Sequence, residues 1–243
     1  MEQKLSKKTR TESDLIGSRE VPESALYGVQ TLRGIENFRI SKFHLNEYPL
    51  FIQALAITKM GAAVANRELD LLTEEQTDAI LKACKEILEG KHHDQFPVDM
   101  IQGGAGTTTN MNANEVIANR ALELMGHARG EYQYCSPNDH VNRSQSTNDA
   151  YPTAIHIGLY YTHLKLVKHF ATLIEAFRKK GAEFAHIIKM GRTQLEDAVP
   201  MTLGQTFNGF ASILEHELKN LDFAAQDFLT VNMGATAIGT GIT

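Results

Sequence analysis

Two short segments combine hydroxyl and amide side chains in a way that suits the binding of an anion. The first is Gly103–Asn110 (GGAGTTTN), where glycines let the backbone approach a ligand and three threonines supply hydroxyl groups. The second is Ser146–Asp149 (STND), directly before a long helical pattern. Because backbone N–H groups at a helix start are unpaired and lie at the positive end of the helix dipole, this position favours a bound carboxylate.

Each segment also has a purely structural interpretation, which is favoured when the segment is taken alone. GGAGTTTN can be a tight turn before a helix. It lacks the Gly-Lys-Ser/Thr of a P-loop, and no clear strand precedes it, as a dinucleotide-binding loop would require. STND consists of residue types that cap helices. A third segment, Gly191–Pro200 (GRTQLEDAVP), is predicted to be a polar turn. His92-His93-Asp94 lacks further ligands at metal-site spacing, so a solvated loop and no metal site are predicted there.

The elements before residue 145 are predicted from periodicity and capping signals. Residues 1–20 are polar and are expected to be loose. Helical patterns cover Tyr48–Leu69, with Pro49 suited to its first turn, and Leu72–Gly90, which opens with the capping box of Thr73 and Gln76. A third helix is predicted over Asn112–Met125, capped by Asn112 and Glu115 and ended by Gly126.

Past residue 150, apolar residues recur every seven positions over two long stretches. One runs from Pro152 to about His186, and the other from Thr202, capped with Gln205, to about Val231. Such heptads are typical of long helices in bundles. The predicted fold is therefore mainly α, with a mixed N-terminal domain (1–145) followed by the first part of a helical-bundle domain (146–243). Because two helices cannot bury apolar seams on both sides, an oligomeric bundle is expected.

Composition restricts the class of protein further. The chain has 243 residues, a net charge of -5 and 42% hydrophobic residues, which argues against a general nucleic-acid binder and for an ordinary globular chain. The charged start MEQKLSKKTRTESD has no apolar h-region, and no run approaches the roughly 20 apolar residues of a membrane span. Two cysteines are too few for a disulfide framework, so a cytoplasmic location is the default expectation.

Taken together, the motifs resemble those of one family. GGAGTTTNMNANEV, PNDHVNRSQSTND, MGRTQLEDAVP and VNMGATAIGTG occur in an order and at spacings similar to those of the aspartase/fumarase superfamily. YGVQTLRGIENF (Tyr27–Phe38) resembles the N-terminal signature of that superfamily. The resemblance extends from about Asp14 to Thr243, which is nearly the whole chain.

The resemblance implies a homotetramer with a shared central helical bundle, in which each active site draws on three subunits. It implies the reversible deamination of L-aspartate to fumarate and ammonia, a carbon–nitrogen lyase reaction through an aci-carboxylate intermediate, with no organic cofactor. Hydrogen-bond donors aimed at the developing charge are the main catalytic device.

Among the matched residues, Thr107, Ser146 and Thr147 would hold the carboxylate that becomes the dianion. Asn148 and Gln194 would face the leaving amine, Thr193 the other carboxylate, and Arg33 matches an arginine associated with activity.

The resemblance also implies that part of the active site, including the general base, is not supplied by this sequence. The family's general-base serine belongs to a loop of the type GSSxMPxKxNP, which does not occur before Thr243. The chain is therefore expected to be inactive alone and active with the missing half. Gln194 stands where fumarases of class II carry histidine, which favours an ammonia-lyase. Two alternatives stay open: a class II fumarate hydratase, which would prefer L-malate, and a non-catalytic helical assembly module, whose melting temperature no substrate would shift.

Overall fold

A computed structural model describes residues 8–242, which form a mainly α-helical fold as predicted. The described residues divide into two compact units, one reaching Gly158 and resuming at Val231, the other spanning Leu159–Thr230. The predicted domain boundary at residue 145 stays a prediction. The helices are α1 (Val29–Asn37), α2 (Pro49–Glu68), α3 (Glu74–Leu88), α4 (Thr107–Leu124), α5 (Thr147–Glu183) and α6 (Leu203–Ala225). In this part of the chain, no helix has the length and apolar character needed to cross a membrane.

An antiparallel hairpin opens the first unit, so the expectation of a loose start is wrong from residue 9 onward. Strands β1 (Thr9–Asp14) and β2 (Gly17–Pro22) pair from Thr9 opposite Pro22 to Asp14 opposite Gly17. The prediction for residues 1–7 lies outside the described residues. The hairpin was missed because its inward-facing anchor on β1, Glu12, is a buried carboxylate rather than an apolar side chain.

Helices α2 and α3 confirm the periodicity and capping predictions. Pro49 begins α2, and Thr73 and Gln76 form the predicted reciprocal cap of α3, with N–H···O distances of 3.1 and 3.2 Å. Gly90 follows α3 with a φ of 88°, as a left-handed residue after a helix end requires. The two helices pack on each other, and both contact α4. All three helices contribute residues to the main buried core.

Helix α4 begins five residues before its predicted start at Asn112. Asn112 and Glu115 do not cap it, because their side chains hydrogen-bond to distant parts of the chain. Asn112 Nδ2 donates to the carbonyl oxygen of Gln95 at 2.9 Å, and Glu115 binds the start of α1. The predicted end is confirmed, since Gly126 follows with a φ of 83°.

Two buried carboxylates satisfy the unpaired N–H groups at the start of α1. Glu115 accepts from the backbone N–H groups of Gly28, Gln30 and Thr31 at 2.8–3.0 Å. Glu12 accepts from the N–H of Val29 at 3.0 Å. Burial raises the pKa of Glu115 to about 7, although these hydrogen bonds act in the opposite direction. The contacts attach both the first hairpin and α4 to α1.

Helix α5 begins five residues before its predicted start and contains Pro152 in its second turn. Proline has no N–H, so it cannot donate to the carbonyl oxygen four residues earlier, that of Asn148. That oxygen instead accepts from Nδ2 of Asn232 at 3.0 Å. A side chain distant in sequence therefore compensates for the proline and lets the helix start earlier.

The second unit contains most of α5, a second hairpin and α6. Strands β3 (Ile188–Thr193) and β4 (Glu196–Thr202) replace the polar turn predicted over this stretch. The predicted cap of α6 by Thr202 and Gln205 is confirmed at 2.8 and 3.1 Å. Rings of Phe177 and Phe184 lie 6.0 and 5.5 Å from that of Phe207, which joins α5 to α6.

A second apolar stripe on α5 remains exposed to solvent within this unit. Leu159, Leu166 and Leu173, which recur every seven residues, are 43%, 40% and 45% exposed. The pair of helices thus partly buries the phenylalanine seam and leaves the leucine stripe exposed, so apolar surface remains uncovered as the heptads predicted.

Candidate active site

The GGAGTTTN segment forms a left-handed turn that leads into the first turn of α4. Gly104, Ala105 and Gly106 have φ angles of 74°, 49° and 91°. A Cβ atom on Gly106 would lie 2.5 Å from the ring of Tyr151, so only glycine fits there. Thr107 is the first residue of α4, and its exposed hydroxyl donates to the carbonyl oxygen of Gly104 at 2.6 Å.

The STND segment forms the first turn of α5, and the side chains of Ser146 and Asp149 both accept backbone hydrogen bonds there. Oγ of Ser146 accepts from the N–H of Asn148 at 3.2 Å, and the N–H of Ser146 donates to Oδ1 of Asp149 at 2.9 Å. Thr147, the first helical residue, is half-buried, whereas Asn148 is exposed. The capping interpretation is thus confirmed, and it leaves the side chains of Thr147 and Asn148 outside the cap.

A buried lysine joins the two segments. Lys59, on α2, is fully buried, and its Nζ donates to Oδ1 of Asn110 (2.7 Å), Oδ1 of Asn142 (2.9 Å) and Oε1 of Gln145 (2.8 Å). Nδ2 of Asn110 then donates to Oγ1 of Thr147 at 3.1 Å. Burial lowers the pKa of Lys59 to about 7, while the negative charge of Asp149 acts to raise it. When protonated, Lys59 places a positive charge behind the starts of α4 and α5.

Arg33 contacts the first hairpin rather than this cluster. Its guanidinium donates to both carboxylate oxygens of Asp14 at 2.8 and 2.9 Å and to the carbonyl oxygen of Gly17 at 2.8 Å. The hydrogen bond from Arg33 lowers the pKa of Asp14. These contacts give Arg33 a structural function in fixing the hairpin to α1.

Thr193 and Gln194 lie at the tip of the hairpin in the second unit, where both side chains are exposed. Thr193 ends β3 opposite Glu196, and the connecting residues Gln194 and Leu195 have φ angles of 50° and 69°. Two successive left-handed residues are typical of the tight hairpin turn whose twist matches the strands.

A cavity of about 490 Å³ beside the first hairpin lies apart from the predicted residues. Its lining comes from the hairpin, α1, α4 and the loop before α5, and consists of Ser13, Asp14, Leu15, Ile16, Val29, Gln30, Glu115, Tyr132, Ser136, Pro137 and Asn138. Among residues 8–242, no group of three or more His, Cys, Asp or Glu side chains is arranged to hold a metal ion. His92 and His93 contact Glu86 and the carbonyl oxygen of Ile87.

Sequence reasoning missed the importance of Lys59 and Asp149. Lys59 interrupts an apolar stretch of α2 (ALAITKMGAAVA), and a lysine at such a position must be paired when buried. That interruption was the available signal, but the partners of Lys59 could not be deduced from it. Asp149 belongs to the STND segment, for which capping was one of two interpretations. Its second carboxylate oxygen accepts from the N–H groups of Gly234 and Thr236 at 3.1 and 2.8 Å, which neither interpretation included.

Helices α4 and α5 thus start beside a buried lysine, and comparisons with known proteins identify the family of this chain. The sequence model of the Lyase family matches residues 17–243. The chain therefore belongs to the Lyase family. In fold it is similar to a fumarate lyase:delta crystallin from Brucella melitensis solved with bound cobalt, with a TM-score of 0.92 and 52% identity over 97% of this chain and 51% of that one.

Two curated relatives with high sequence identity to this chain are both named aspartate ammonia-lyase. The chain is 58% identical over 234 residues to the aspartate ammonia-lyase of Pseudomonas fluorescens and 55% identical over 239 residues to that of Escherichia coli K12. These matches cover 96% and 98% of this chain but 49% and 50% of the relatives. The chain thus spans about half the length of the curated relatives it matches. The class II fumarase of Schistosoma mansoni is similar in fold, with a TM-score of 0.88, but only 36% identical over 97% of this chain and 49% of that one.

Proposed function

We propose that this chain contributes to an aspartate ammonia-lyase, which converts L-aspartate reversibly to fumarate and ammonia. The observation that carries the proposal is the 55–58% identity to aspartate ammonia-lyases over nearly the whole chain, against 36% to a class II fumarase. Because the chain spans about half of those relatives, the activity is proposed for the complete assembly rather than for this chain alone.

The geometry around Lys59 supports the binding of a carboxylate at the start of α5. Lys59 donates to Asn110, and Asn110 donates to Oγ1 of Thr147. Among the described residues, Oγ1 of Thr147 only accepts, so its own proton is available to a ligand. The positive end of the helix dipole and, when protonated, the buried amine of Lys59 both favour negative charge at that position.

The chemistry needs such donors because the Cβ proton of a carboxylate substrate is a very weak acid. Its removal places a second negative charge on the carboxylate, which the hydroxyls of Ser146 and Thr147 would stabilise. The hydroxyl of Thr107 would join them by exchanging its hydrogen bond to the carbonyl oxygen of Gly104 for one to the substrate. Losing one donor of this kind typically costs about 10²–10³ in rate. Asn148 and Gln194 would bind the leaving amine, and Thr193 the other carboxylate.

The general base is expected from outside this chain. In the hydrogen bonds seen between residues 8 and 242, the hydroxyls of Thr107, Ser146 and Thr147 contact no histidine that could deprotonate them. The exposed stripe of Leu159, Leu166 and Leu173 supports assembly of further helices, as in a tetramer with a shared bundle. Cys84 and Cys135 are both free and buried, which is compatible with the proposed cytoplasmic location.

Reconstitution tests the proposal. The chain would be co-expressed with the half of the Pseudomonas fluorescens aspartate ammonia-lyase that it does not match, and fumarate would be followed by ultraviolet absorbance. We expect turnover of L-aspartate in the purified pair, little or none in the chain alone, and a loss in the pair carrying Thr147→Ala and Asn148→Ala.

Two other outcomes would each favour a different function. Fumarate formed faster from L-malate than from L-aspartate would indicate a fumarate hydratase. A stable, stoichiometric pair that forms fumarate from neither substrate, and whose melting temperature neither substrate shifts, would indicate a helical assembly module.

A further inference from the structure

The segment Asn232–Ala237, part of the motif VNMGATAIGTG, holds Asn148 at two points. Nδ2 of Asn232 donates to the carbonyl oxygen of Asn148 at 3.0 Å. Nδ2 of Asn148 in turn donates to the carbonyl oxygen of Ala237 at 2.7 Å. The segment therefore fixes both the backbone and the side chain of a residue expected to face the substrate amine.

Asp149 attaches the same segment more firmly. Its side chain is fully buried, and its Oδ2 accepts from the N–H groups of Gly234 and Thr236. These residues have φ angles of 89° and 62°, which let two N–H groups two residues apart converge on one oxygen. Thr236 is held in this uncommon conformation by a hydrogen bond of 2.8 Å from its Oγ1 to the carbonyl oxygen of Ile242.

A helix cap alone does not require this arrangement. Capping uses only Oδ1 of Asp149, which accepts from the N–H of Ser146. The second oxygen, Oδ2, is used entirely by the Asn232–Ala237 segment. The carbonyl oxygen of Asn148 is open to Asn232 because Pro152 has no N–H to give it.

We propose that Asp149 is a positioning residue, and that Asp149 and Asn232–Ala237 form a clasp that sets which end of the Asn148 amide faces the substrate. With Nδ2 held by Ala237, Oδ1 is left to accept a hydrogen bond from the ammonium group of an amino acid. The assignment of the ligand rests on the proposed function, whereas the clasp rests on the hydrogen bonds alone.

Hydrogen exchange on the 243-residue chain tests the clasp directly. Asp149→Asn places an NH2 group against backbone N–H donors, so we expect exchange of the amides in 232–237 to rise at least tenfold. Asp99→Asn is the matched control, because Asp99 is also buried and accepts from the N–H groups of Ser41 and Ile101, both at 2.7 Å. It should raise exchange around residues 40–41 and leave 232–237 unchanged. Unchanged exchange at 232–237 in Asp149→Asn would overturn the proposal.

Kinetics of the reconstituted pair test the positioning function. Asn232→Ala removes one exposed contact and leaves the buried Asp149 in place, so it disturbs the fold less than Asp149→Asn. We expect kcat for L-aspartate to fall about tenfold or more in this variant and in Asp149→Asn, with KM changed less than about threefold, because misorientation affects the reacting geometry. Asn220→Ala, which removes an exposed contact to Glu217, should change neither.

The two experiments separate this inference from the function on which it draws. An unaltered kcat in both clasp variants would overturn the positioning function. If the unmodified pair forms no fumarate, the proposed function fails, and the exchange experiment still decides whether the clasp exists.

Discussion

Nδ2 of Asn110 lies 3.1 Å from Oγ1 of Thr147 and donates a hydrogen bond to it. This contact joins the first turn of α4 to the first residue of α5, although the two residues are 37 positions apart. Because Lys59 donates to the same Asn110 side chain, the buried charge and both helix starts form one polar cluster. A change at any member is therefore expected to affect the others.

Replacing Lys59 with methionine should destabilise the first unit strongly. The variant leaves the side-chain oxygens of Asn110 and Gln145 without their donor, while Oδ1 of Asn142 keeps its hydrogen bond from Nδ2 of Asn110. Each unsatisfied buried group costs about 1–3 kcal/mol. Water entering the cluster would recover part of this, so we expect a loss of about 3 kcal/mol in the free energy of unfolding, measured by urea denaturation. Lys82→Met, on an exposed face of α3, should change it by less than about 0.5 kcal/mol. Equal effects in the two variants would contradict the described cluster.

The buried carboxyl of Glu115 should make stability depend on pH between about 4.5 and 7. Burial raises its pKa from 4.5 to about 7, so the folded chain binds more protons than the unfolded chain in this window. The free energy of unfolding must then fall as pH rises, by a total on the order of 3 kcal/mol. Glu115→Gln cannot ionise, so this decline should be absent from its denaturation midpoints.

Glu86 supplies a control for the same experiment, because its pKa is shifted in the opposite direction to that of Glu115. Its hydrogen bond from Arg120 lowers the pKa of Glu86 to about 2, so its contribution is complete above 4.5 and is lost only as pH falls toward 2. Glu86→Gln should therefore keep the wild-type slope between pH 4.5 and 7. Parallel curves for the wild type and Glu115→Gln would show that the ionisation of Glu115 is not linked to folding.

Arg33 and Asp14 should behave as a coupled pair in a double-mutant cycle. Because the guanidinium contacts both carboxylate oxygens, either alanine substitution breaks the same interaction. We expect the melting temperature of the double variant to resemble that of each single variant. Arg19 and Glu36, an exposed pair 3.7 Å apart, should give additive and small effects. Additive losses at Arg33 and Asp14 would show that the pair does not fix the hairpin.

Gly106→Ala should be more damaging than Gly126→Ala, although both glycines have positive φ angles. Each variant incurs the cost of a left-handed alanine, roughly 1–2 kcal/mol. The added Cβ at Gly106 would also meet the ring of Tyr151 at 2.5 Å, whereas nothing lies within 4 Å at Gly126. The difference between their free energies of unfolding measures the clash. A difference near zero would mean that the ring moves away without cost.

Features that depend on neighbouring residues could be predicted from the sequence. The caps of α3 and α6 join residues three positions apart, Thr73 with Gln76 and Thr202 with Gln205, so all the information is local. The heptads correctly predicted that α5 and α6 leave apolar surface exposed, because a helix repeats its contacts at a fixed period.

Features that depend on distant partners could not be predicted in this way. Glu115 resembles a helix cap in the sequence, yet its partners at the start of α1 lie 84–87 positions away. Lys59 interrupts an apolar pattern, and its three acceptors lie 51–86 positions away. For the candidate site, the sequence indicated both segments, while their contact through Asn110 and Thr147 required the fold.

The paired carboxylates at the start of α1 also determine when this helix can form during folding. A helix of nine residues is below the roughly 12–15 residues at which isolated helices become even marginally stable in water. Its first N–H groups find acceptors only when Glu12 and Glu115 arrive, and the second contact closes a loop of more than 80 residues. Long loop closures of this kind slow folding. Helix α1 and the first hairpin should therefore complete their folding late, in the same step in which α4 joins the core.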